Sequence, residues 1–445
     1  MTLRFGTDGV RGHADELTDE LVTGLGRAAA RVLVGPADRA NRFVIGRDPR
    51  LSGPRIERAL VGGLAAEGVA AELMGVAPTP AVAWVAAARG VPAAMISASH
   101  NPFHDNGVKF FAPGGRKLTD DVEQQLEHTL DVLIGSPRPA SKALDPTPGG
   151  GDLARYELAV AASIENRTLD GLRLVVDCAN GAASEVAPRV IQRVGLDPVV
   201  LHATPDGRNI NDGCGSTHPG ELAAAVVAEG ADVGLAFDGD ADRVLAVDET
   251  GTLIDGDHLI ALCARDLRDR GQLNRDTVVV TVMTNLGFRL AMAEEGIEVV
   301  ETRVGDRYVL EALEEGGYSL GGEQSGHVIF RDRATTGDGL LTGLQVLDLV
   351  RRSGRPLSQL AAEAMTSVPQ VLCNVTVTRG AGAVVDAVKE AIVAVESDLE
   401  DRGRVLVRPS GTEPLVRVMV EALDAEEARR AADRLVRAVE QASLD

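Results

Sequence analysis

The segment 172–195, LRLVVDCANGAASEVAPRVIQRVG, contains the pattern that decides the fold. Its first five residues are mostly apolar and predict a buried strand, which the turn DCANG at 177–181 ends. Ser184 is placed to cap a following helix, whose apolar residues recur at helical spacing, and Gly195 is placed to end it. The segment therefore predicts a strand, a turn and a helix in succession, the repeating element of α/β domains.

Two further segments repeat this order of elements. The apolar run 43–45 ends in a turn and precedes a helical pattern that Gly68 is placed to end. The run 277–282 precedes a helix that Asn285 is placed to cap and that continues toward Gly296. Three such segments predict three βαβ-type domains with mixed sheets.

The C-terminal part of the chain has a different pattern, with short strands and one closing helix. It predicts a smaller α+β domain built from the segments 371–377, 404–407, 416–421 and 425–442. A linker rich in Pro, Gly and Ser at 135–152 and a turn at Thr250-Gly251 mark two boundaries. We therefore predict an α/β fold of three similar mixed-sheet α/β domains and a smaller C-terminal α+β domain, divided as 1–150, 151–252, 253–366 and 367–445.

Composition and charge exclude several classes of protein. The chain has 445 residues, of which 44% are hydrophobic and 25% charged, as is typical of packed globular domains. The formal net charge of -21 disfavours nucleic acid as a partner, and no apolar run approaches the ~20 residues of a membrane helix. Because the N-terminus has no apolar signal region, we expect a cytoplasmic protein. The chain has four cysteines, at Cys178, Cys214, Cys263 and Cys373. Their spacing fits neither a zinc motif nor a disulfide framework.

Three carboxylates at alternate positions follow the apolar run Val233–Phe237, at Asp238, Asp240 and Asp242. In a looped backbone their oxygens can converge on one hard cation such as Mg²⁺. A solvated acidic turn is the alternative. An EF-hand is excluded because Arg243 occupies the loop position that needs glycine, and the residues after it predict a strand.

A serine follows the apolar run Ala93–Ile96 in the phrase SASHNP, at Ser99. Open α/β sheets present their chemistry at the carboxyl ends of strands, which makes this serine a candidate nucleophile. His100 and Lys109 follow closely. A helix cap or Asx-type turn before Pro102 is the alternative, and the flanking glycines of a hydrolase nucleophile elbow are missing.

Positive charge is concentrated near the C-terminus, as an acidic protein needs if it is to bind an anion. The groups that can surround an anion here come from four residues. Arg408 supplies a guanidinium, Ser410 and Thr412 supply hydroxyls, and Gly411 gives access to backbone N–H groups. Arg417 lies on the next predicted strand. An ordinary polar turn between strands is the alternative.

Two glycine-rich segments complete the candidate site. In GGEQSGH, Glu323 and Ser325 can bind sugar hydroxyls, and His327 can exchange protons near neutral pH. A structural histidine is the alternative for His327. In GTDGVRG, Arg11 is placed to face an anion, with an N-terminal turn as the alternative, and the Walker lysine pattern is absent.

The order and spacing of these five motifs resemble the α-D-phosphohexomutase superfamily over nearly the whole chain. The resemblance implies four domains around a central cleft, the first three sharing an α/β design. It implies that Ser99 carries a phosphoryl group and, with the three aspartates, holds one Mg²⁺ per subunit. It also implies that the loop 408–414 binds a phosphate and that the loops 323–327 and 302–308, the latter with Arg307, bind the sugar.

Within the superfamily, the phrases FGTDGVRG, SASHNPFHDNGVKFF and GGEQSGH resemble the phosphoglucosamine branch. That resemblance implies a mutase that converts glucosamine 6-phosphate to glucosamine 1-phosphate, which feeds UDP-N-acetylglucosamine and cell-wall synthesis. The phosphoserine first donates its phosphoryl group, and the resulting bisphosphorylated hexose, also an activator, reorients and returns the other phosphate. A glucose- or mannose-type mutase, a metal-dependent sugar phosphatase and a non-catalytic phosphosugar-binding protein are the alternatives.

The predicted catalytic residues surround the transferring phosphoryl group. Arg243 and Lys109 flank it, and His327 and Lys109 are the candidates for general acid and base. His100 and Arg11 complete this predicted set. For partners we expect a small phosphosugar, no nucleic acid and no membrane, with the chain acting as a monomer or homodimer.

Overall fold

The computed structural model describes residues 9–34, 41–134, 145–378, 380–410 and 414–444, and the backbone of 5–6. The chain forms two compact units. The first comprises Met1–Met283 and Ile297–Ala364, and the second comprises Thr284–Gly296 and Met365–Asp445. Among the described helices, none is long and apolar enough to cross a membrane.

The first sheet is mixed and has seven strands in the order β1-β2-β6-β5-β3-β4-β7. Its segment of the chain contains β1 (Phe5–Gly6), β2 (Gly9–His13), α1 (Asp19–Leu33), β3 (Arg42–Arg47), α2 (Gly53–Ala66), β4 (Ala70–Val76), α3 (Thr79–Arg89), β5 (Ala93–Ile96), β6 (Asp105–Phe111), α4 (Asp120–Leu133) and β7 (Thr147–Pro148). Successive residues of β3 point to opposite faces, so Phe43 and Ile45 pack in the core with α1, α2 and α4, whereas Val44 packs with α3. Helices therefore cover both faces, and the strands are nearly continuous apolar runs.

The second sheet has five strands in the order β12-β11-β10-β8-β9, with β8 parallel to β9 and β10. Its segment contains α5 (Asp152–Ala162), β8 (Leu174–Asp177), α6 (Ala183–Arg193), β9 (Val199–Leu201), a 3₁₀ turn (Gly215–Thr217), α7 (Gly220–Glu229), β10 (Val233–Phe237), β11 (Val244–Asp248) and β12 (Leu253–Ile254). The prediction that Ser184 caps α6 is wrong. Ser184 lies inside the helix, and its hydroxyl instead donates to the carbonyl of Gly181 at 2.7 Å.

The third sheet is mixed and has four strands in the order β14-β13-β15-β16. This segment contains α8 (Gly256–Asp269), a 3₁₀ turn (Asn274–Asp276), β13 (Thr277–Thr281), α9 (Leu286–Glu294), β14 (Glu298–Thr302), α10 (Asp306–Gly316), β15 (Leu320–Gly322), β16 (Val328–Phe330), α11 (Gly339–Ser353) and α12 (Leu357–Ala364). Asn285 caps α9 as predicted, since its side chain accepts the N–H of Gly287 at 2.9 Å.

The second unit is built on an antiparallel sheet of three strands in the order β17-β19-β18. It contains β17 (Gln370–Thr376), α13 (Ala381–Ala387), α14 (Lys389–Leu399), a 3₁₀ turn (Glu400–Arg402), β18 (Gly403–Pro409), β19 (Leu415–Ala422) and α15 (Ala425–Leu444). Helix α9 belongs to this unit as well. Its capping residue Asn285 donates to the carbonyl of Val368 and to the buried carboxylate of Glu421, both at 3.1 Å.

The predicted fold class, three mixed α/β sheets and a smaller C-terminal α+β domain, is confirmed. Three details differ from the sequence predictions. The turn at Thr250-Gly251 joins β11 to β12, so residues 253–254 still belong to the second sheet. The linker at 135–152 contributes β7, which pairs with β4, and its residues 135–144 lie outside the described residues. Helices α13 and α14 were not predicted.

Candidate active site

Ser99 lies in the turn that follows β5, and its side chain points at the loop that follows β10. Its Oγ donates a hydrogen bond to Asp238 Oδ2 at 2.6 Å, and its own N–H donates to Ser97 Oγ at 2.9 Å. The backbone of Ser99 has a φ of 51°. This left-handed conformation costs a residue other than glycine about 1–2 kcal/mol, so the surroundings must hold it in place.

Two buried side chains hold the backbone around Ser99, and we call them the serine clamp. Arg50 Nη2 donates to the carbonyls of Ser99 and Asn101, both at 2.8 Å. Asn211 Nδ2 donates to the same two carbonyls at 2.9 and 3.0 Å. Arg50 is fully buried, and Asp48 at 2.8 Å balances its charge. Four hydrogen bonds from two domains of the first unit therefore fix the turn.

The three aspartates converge as predicted, and we call Asp238, Asp240 and Asp242 the aspartate loop. One carboxylate oxygen from each lies within 4.8 Å of the others, and all three residues are buried. Lys109, on β6, donates to Asp240 at 2.8 Å and to Asp242 at 3.3 Å. Thr79 starts α3, and its hydroxyl donates to Asp240 at 2.6 Å.

The charges of the aspartate loop fit a bound cation. Burial and the negative charges of Asp242 and Asp240 raise the pKa of Asp238 well above its ordinary value. Burial also disfavours the charged form of Asp240. The Lys109 ammonium outweighs this effect and holds the pKa of Asp240 below its ordinary value. Asp240 Oδ1 is buried without a hydrogen-bond partner among the described residues. Oxygen donors in this number suit Mg²⁺, and a divalent cation would relieve the repulsion between the three acids.

A cavity of about 160 Å³ lies beside Ser99 and brings the predicted loops of the first unit together. It is lined by Ser99, Lys109, Asp242, Arg243, Val304, Gly305, Asp306, Glu323 and His327. The serine follows β5, the aspartate loop follows β10, and Glu323 follows β15, so each comes from the carboxyl end of a strand. The cavity therefore brings together a hydroxyl, one of the three aspartates, two cationic side chains and further polar groups.

His327 is fully enclosed and paired with an acid. Its Nε2 lies 3.1 Å from Asp306 Oδ2, and Lys117 contacts the same carboxylate. Burial favours the neutral imidazole, but the Asp306 carboxylate outweighs burial and raises the pKa of His327 above its ordinary value. His327 can therefore hold a proton at the edge of the cavity.

His100 has the opposite electrostatic environment. Its Nδ1 lies 3.4 Å from Ser99 Oγ and 3.3 Å from Arg243 Nη1. Burial and the positive charges of Arg243 and Arg11 lower the pKa of His100 to about 4, so the ring is neutral near pH 7. Arg11 itself lies on β2, opposite Gly107 of β6, and its effect on the histidine places its charge near the serine.

The sugar-binding predictions divide into two groups. Glu323 lines the cavity and accepts the N–H of Gly305 at 3.1 Å, and Ser325 Oγ is buried without a hydrogen-bond partner among the described residues. The structure does not bring Arg307 to the cavity. Its guanidinium instead binds Asp120 and Glu123 in the acidic first turn of α4, and it is 4% exposed. Because the Arg307 guanidinium is paired with α4, its contact with a substrate stays a prediction.

The predicted phosphate loop lies in the second unit. Arg408 on β18 is the register partner of Arg417 on β19, and burial together with the charge of Arg417 lowers the pKa of Arg408. The N–H of Ser410 donates to the carbonyl of Leu415 at 2.9 Å. The predicted residues Gly411 and Thr412 lie outside the described residues. Two neighbouring positive charges are what the predicted phosphate loop requires, and phosphate binding there stays a prediction.

Sequence reasoning missed four residues that shape the site, namely Arg50, Thr79, Asn211 and Asp306. Arg50 follows the turn that ends β3. Functional groups gather at the carboxyl ends of strands in α/β sheets, so this position could have identified Arg50 as a candidate. Asn211 has a φ of 57°, which asparagine tolerates better than most residues. No local pattern marks Thr79, whose contact with Asp240 joins residues 161 apart in the chain.

The sequence matches four domain profiles described as phosphoglucomutase/phosphomannomutase. The α/β/α domains I, II and III match residues 2–132, 154–251 and 255–368, and the C-terminal domain matches residues 372–438. Phosphoglucosamine mutase of Frankia alni is 54% identical over 452 residues, which cover 99% of this chain and 98% of the relative. Phosphoglucosamine mutase of Desulforudis audaxviator is 52% identical over 444 residues, with coverage of 99% and 98%.

Solved structures agree with this assignment. A phosphoglucomutase/phosphomannomutase family protein from Burkholderia thailandensis matches with a TM-score of 0.80 at 26% identity, covering 98% of this chain and 97% of its own. N-acetylphosphoglucosamine mutase of Aspergillus fumigatus, in complex with GlcNAc-6P and magnesium, shares the fold with a TM-score of 0.71 at 19% identity, covering 100% and 96%. With its four domain matches and its close relatives, the chain belongs to the phosphoglucomutase/phosphomannomutase family.

Proposed function

We propose that this enzyme interconverts glucosamine 6-phosphate and glucosamine 1-phosphate, with Ser99 as the carrier of the phosphoryl group. The observation that carries the proposal is the 2.6 Å contact between Ser99 Oγ and Asp238, inside a cluster of three carboxylates. A phosphoryl group on that oxygen would lie at a cation site and face the cavity. The phosphoglucosamine mutases that are more than half identical over almost the whole chain support glucosamine as the sugar.

The residues of the cavity suit phosphoryl transfer, which depends mainly on positioning and charge neutralisation. Mg²⁺, held by the aspartate loop and the serine phosphate, would neutralise charge on the transferring group. Lys109 and Arg243 place two positive charges beside Ser99. Glu323 lines the cavity and would bind the sugar, and His327 lines it with a pKa that Asp306 raises against the effect of burial. We assign the general acid to His327 because its pKa is raised toward protonation at neutral pH.

Arg408 and Arg417 are our candidates for binding the phosphate that is not transferred. Their guanidiniums are adjacent on paired strands, and bidentate arginine contacts would fix the orientation of the substrate. A sugar bisphosphate then needs this site in both of its orientations. We also propose the domain division 1–150, 151–252, 253–366 and 367–445, with the two residues of β12 just past the second boundary although they pair with the second sheet. We further propose a cytoplasmic location, which suits the four free cysteines.

The phosphoserine is tested by the intact mass of the purified protein. We expect a fraction of the parent protein to carry one phosphoryl group, which Ser99→Ala removes together with mutase activity. Ser163→Ala is the matched control, because Ser163 is also buried and its hydroxyl accepts a hydrogen bond from Gln345 on α11. Phosphate retained on the Ser99→Ala protein, or full activity of that variant, would contradict the assignment.

The substrate is tested by steady-state kinetics with the three hexose 6-phosphates and a bisphosphate activator. We expect the highest kcat/KM for glucosamine 6-phosphate over glucose 6-phosphate and mannose 6-phosphate. The release of inorganic phosphate, measured in the same reactions, separates a mutase from a phosphatase. Equal or higher kcat/KM with glucose or mannose 6-phosphate would reject glucosamine, and stoichiometric phosphate release would reject mutase chemistry.

A further inference from the structure

A second group of metal-ligand side chains lies in the domain of the second sheet. Asp177 ends β8, His202 follows β9, and Cys214 precedes the 3₁₀ turn at Gly215–Thr217. One ligand atom from each lies within 4.8 Å of the others, and we call these three residues the Asp–His–Cys cluster. Strands β8 and β9 are parallel neighbours, so their carboxyl ends bring the first two residues to the same edge of the sheet.

The spacing of the cysteines gave no indication of a metal site, because this cluster uses only one of them. His202 Nδ1 lies 3.1 Å from Asp177 Oδ2, yet this buried nitrogen makes no hydrogen bond to any described residue. Ligand atoms around a tetrahedral zinc ion lie roughly 3.3–3.8 Å apart, given bond lengths near 2.0 Å to nitrogen or oxygen and 2.3 Å to sulfur. The Sγ of Cys214 is fully buried, and its polar neighbour is Asn180 Nδ2 at 4.0 Å.

The groups around the cluster also have the arrangement that supports metal ligands. A metal-binding histidine usually holds its second ring nitrogen against a carboxylate or carbonyl. Here His202 Nε2 lies 3.3 Å from Glu221 Oε2. Ligating carboxylates are usually hydrogen-bonded themselves, and Asp177 accepts the N–H groups of Ala179 at 2.9 Å and Gly215 at 2.8 Å. Both ligands are therefore fixed in orientation by neighbouring groups.

We propose that the Asp–His–Cys cluster binds one Zn²⁺ ion. Carboxylate oxygen, imidazole nitrogen and thiolate sulfur are the three ligand types that zinc takes in proteins, whereas Mg²⁺ prefers oxygen alone. Binding releases the thiol proton of Cys214 to solvent, and the metal bonds to the resulting thiolate. The side chain of His202 is 22% exposed, so the cluster lies close to the protein surface. Water would supply a fourth ligand to a tetrahedral ion.

A zinc ion here would join three segments that support the serine clamp. Asn211 lies between His202 and Cys214 in the chain, and its N–H donates to the carbonyl of Ala179 at 3.0 Å. Its side chain holds the carbonyls of Ser99 and Asn101. Zinc would therefore stabilise the second domain and, through this connection, the turn that carries Ser99. The expected result is a higher melting temperature with zinc.

The test measures zinc bound to metal-free protein, with excess Mg²⁺ present to occupy the aspartate loop. After removal of free zinc, elemental analysis should find about one zinc per chain in the parent protein, as expected for a single three-ligand site. Cys214→Ser and His202→Asn should both lose it. Asparagine is chosen because position 202 has a φ of 48°, which asparagine adopts more readily than most residues.

Two controls make the result specific to the cluster. Cys263→Ser removes a buried cysteine of α8 outside the cluster, and it should keep both the zinc and the zinc-dependent rise in melting temperature. In the parent protein Co²⁺ should show a thiolate charge-transfer band that Cys214→Ser lacks. A parent protein that retains no zinc would refute the proposal, and so would zinc retained by both cluster variants. The cluster would then be an Asp177–His202 ion pair beside a thiol. Because bound metal is counted directly, this outcome does not depend on the proposed mutase activity.

Discussion

Asn211 tests how Ser99 is held, because it bonds the carbonyl of Ser99 and is not itself among the described residues that line the cavity. The change is Asn211→Gly, which removes both hydrogen bonds of Nδ2 to the carbonyls of Ser99 and Asn101. The φ of Asn211 is 57°, a conformation that glycine adopts freely, so the variant adds no backbone strain. Arg50 keeps its own bonds to the two carbonyls, and neither is left without a partner.

The expected magnitude follows from these two hydrogen bonds. Each contributes about 1 kcal/mol net, so their loss weakens the hold on the turn by about 2 kcal/mol. That is comparable to the cost of about 1–2 kcal/mol for the left-handed conformation of Ser99. If the energy of these two hydrogen bonds is needed to position Ser99 Oγ in the transition state, kcat falls by about 10–30-fold, since 1.4 kcal/mol corresponds to a tenfold change in rate. KM should change by less than about threefold, because the substrate contacts remain.

The assay is steady-state mutase kinetics together with thermal unfolding of the same samples. Asn180→Gly is the matched control, since Asn180 is also buried with a positive φ of 47°. Its side chain contacts Thr204, Asn209 and Cys214 rather than the serine turn. We expect the control to lose stability without the large fall in kcat. An unchanged kcat for Asn211→Gly, or an equal fall in Asn180→Gly, would refute a role for Asn211 in positioning Ser99.

Three further predictions concern the same site. In Gly239→Ala the added Cβ would lie 2.5 Å from the Ser99 carbonyl, so we expect kcat to fall by about 100-fold or more, measured in the mutase assay. Lys109→Met keeps the side-chain length but leaves the buried aspartates without their ammonium, so activity should fall and the Mg²⁺ concentration needed for half-maximal rate should shift. The pKa of His327 is raised by Asp306, after opposition from burial, so the protonated ring stabilises the fold below pH 6.5. That stability is lost as pH rises through the folded pKa, and melting temperatures should fall over this range.

Each of these has its own control. Gly62→Ala places a Cβ in open space on α2 and should leave kcat unchanged. Lys389→Met removes an exposed lysine and should leave the Mg²⁺ dependence unchanged. His327→Gln should abolish the extra fall in melting temperature above pH 6.5, the ordinary histidine pKa. Stability that rises with pH in the parent protein would contradict the Asp306–His327 pairing.

The strands that end at the site could be predicted because each is an apolar run that identifies a strand without information from the rest of the chain. The runs Ala93–Ile96 and Val233–Phe237 are apolar, buried on both faces, and match β5 and β10 residue for residue. The two strands belong to different sheets, and each sheet presents functional groups at the carboxyl ends of its strands, so the serine and the acidic cluster could each be predicted as a candidate. The meeting of Ser99 with Asp238 was implied by family resemblance, and the geometry agrees.

Contacts between distant segments could not be predicted from one sequence. Arg307 and its partner Asp120 are 187 residues apart, so the acidic first turn of α4 could not be identified as the binding site for that guanidinium. Helix α9 reads as part of the third α/β repeat, yet its cap is held by Val368 and Glu421 of the second unit. Ser184 shows that short-range contacts can be ambiguous as well. Its hydroxyl can cap a helix or donate to a turn carbonyl with similar energy, so the sequence does not decide between the two.

The site separates the groups that hold the nucleophile from the groups that face the sugar. Arg50 and Asn211 fix the turn of Ser99 through its carbonyls, and neither is among the described residues that line the cavity. Glu323 and His327 do line it, and they come from the segment after β15. In the proposed reaction the serine has given its phosphoryl group to the sugar, so the enzyme must keep the free Ser99 hydroxyl in place while the sugar bisphosphate reorients and until a phosphoryl group returns. Loss of the clamp should therefore slow transfer equally for every sugar, whereas substitution of Glu323 should change which sugar is preferred.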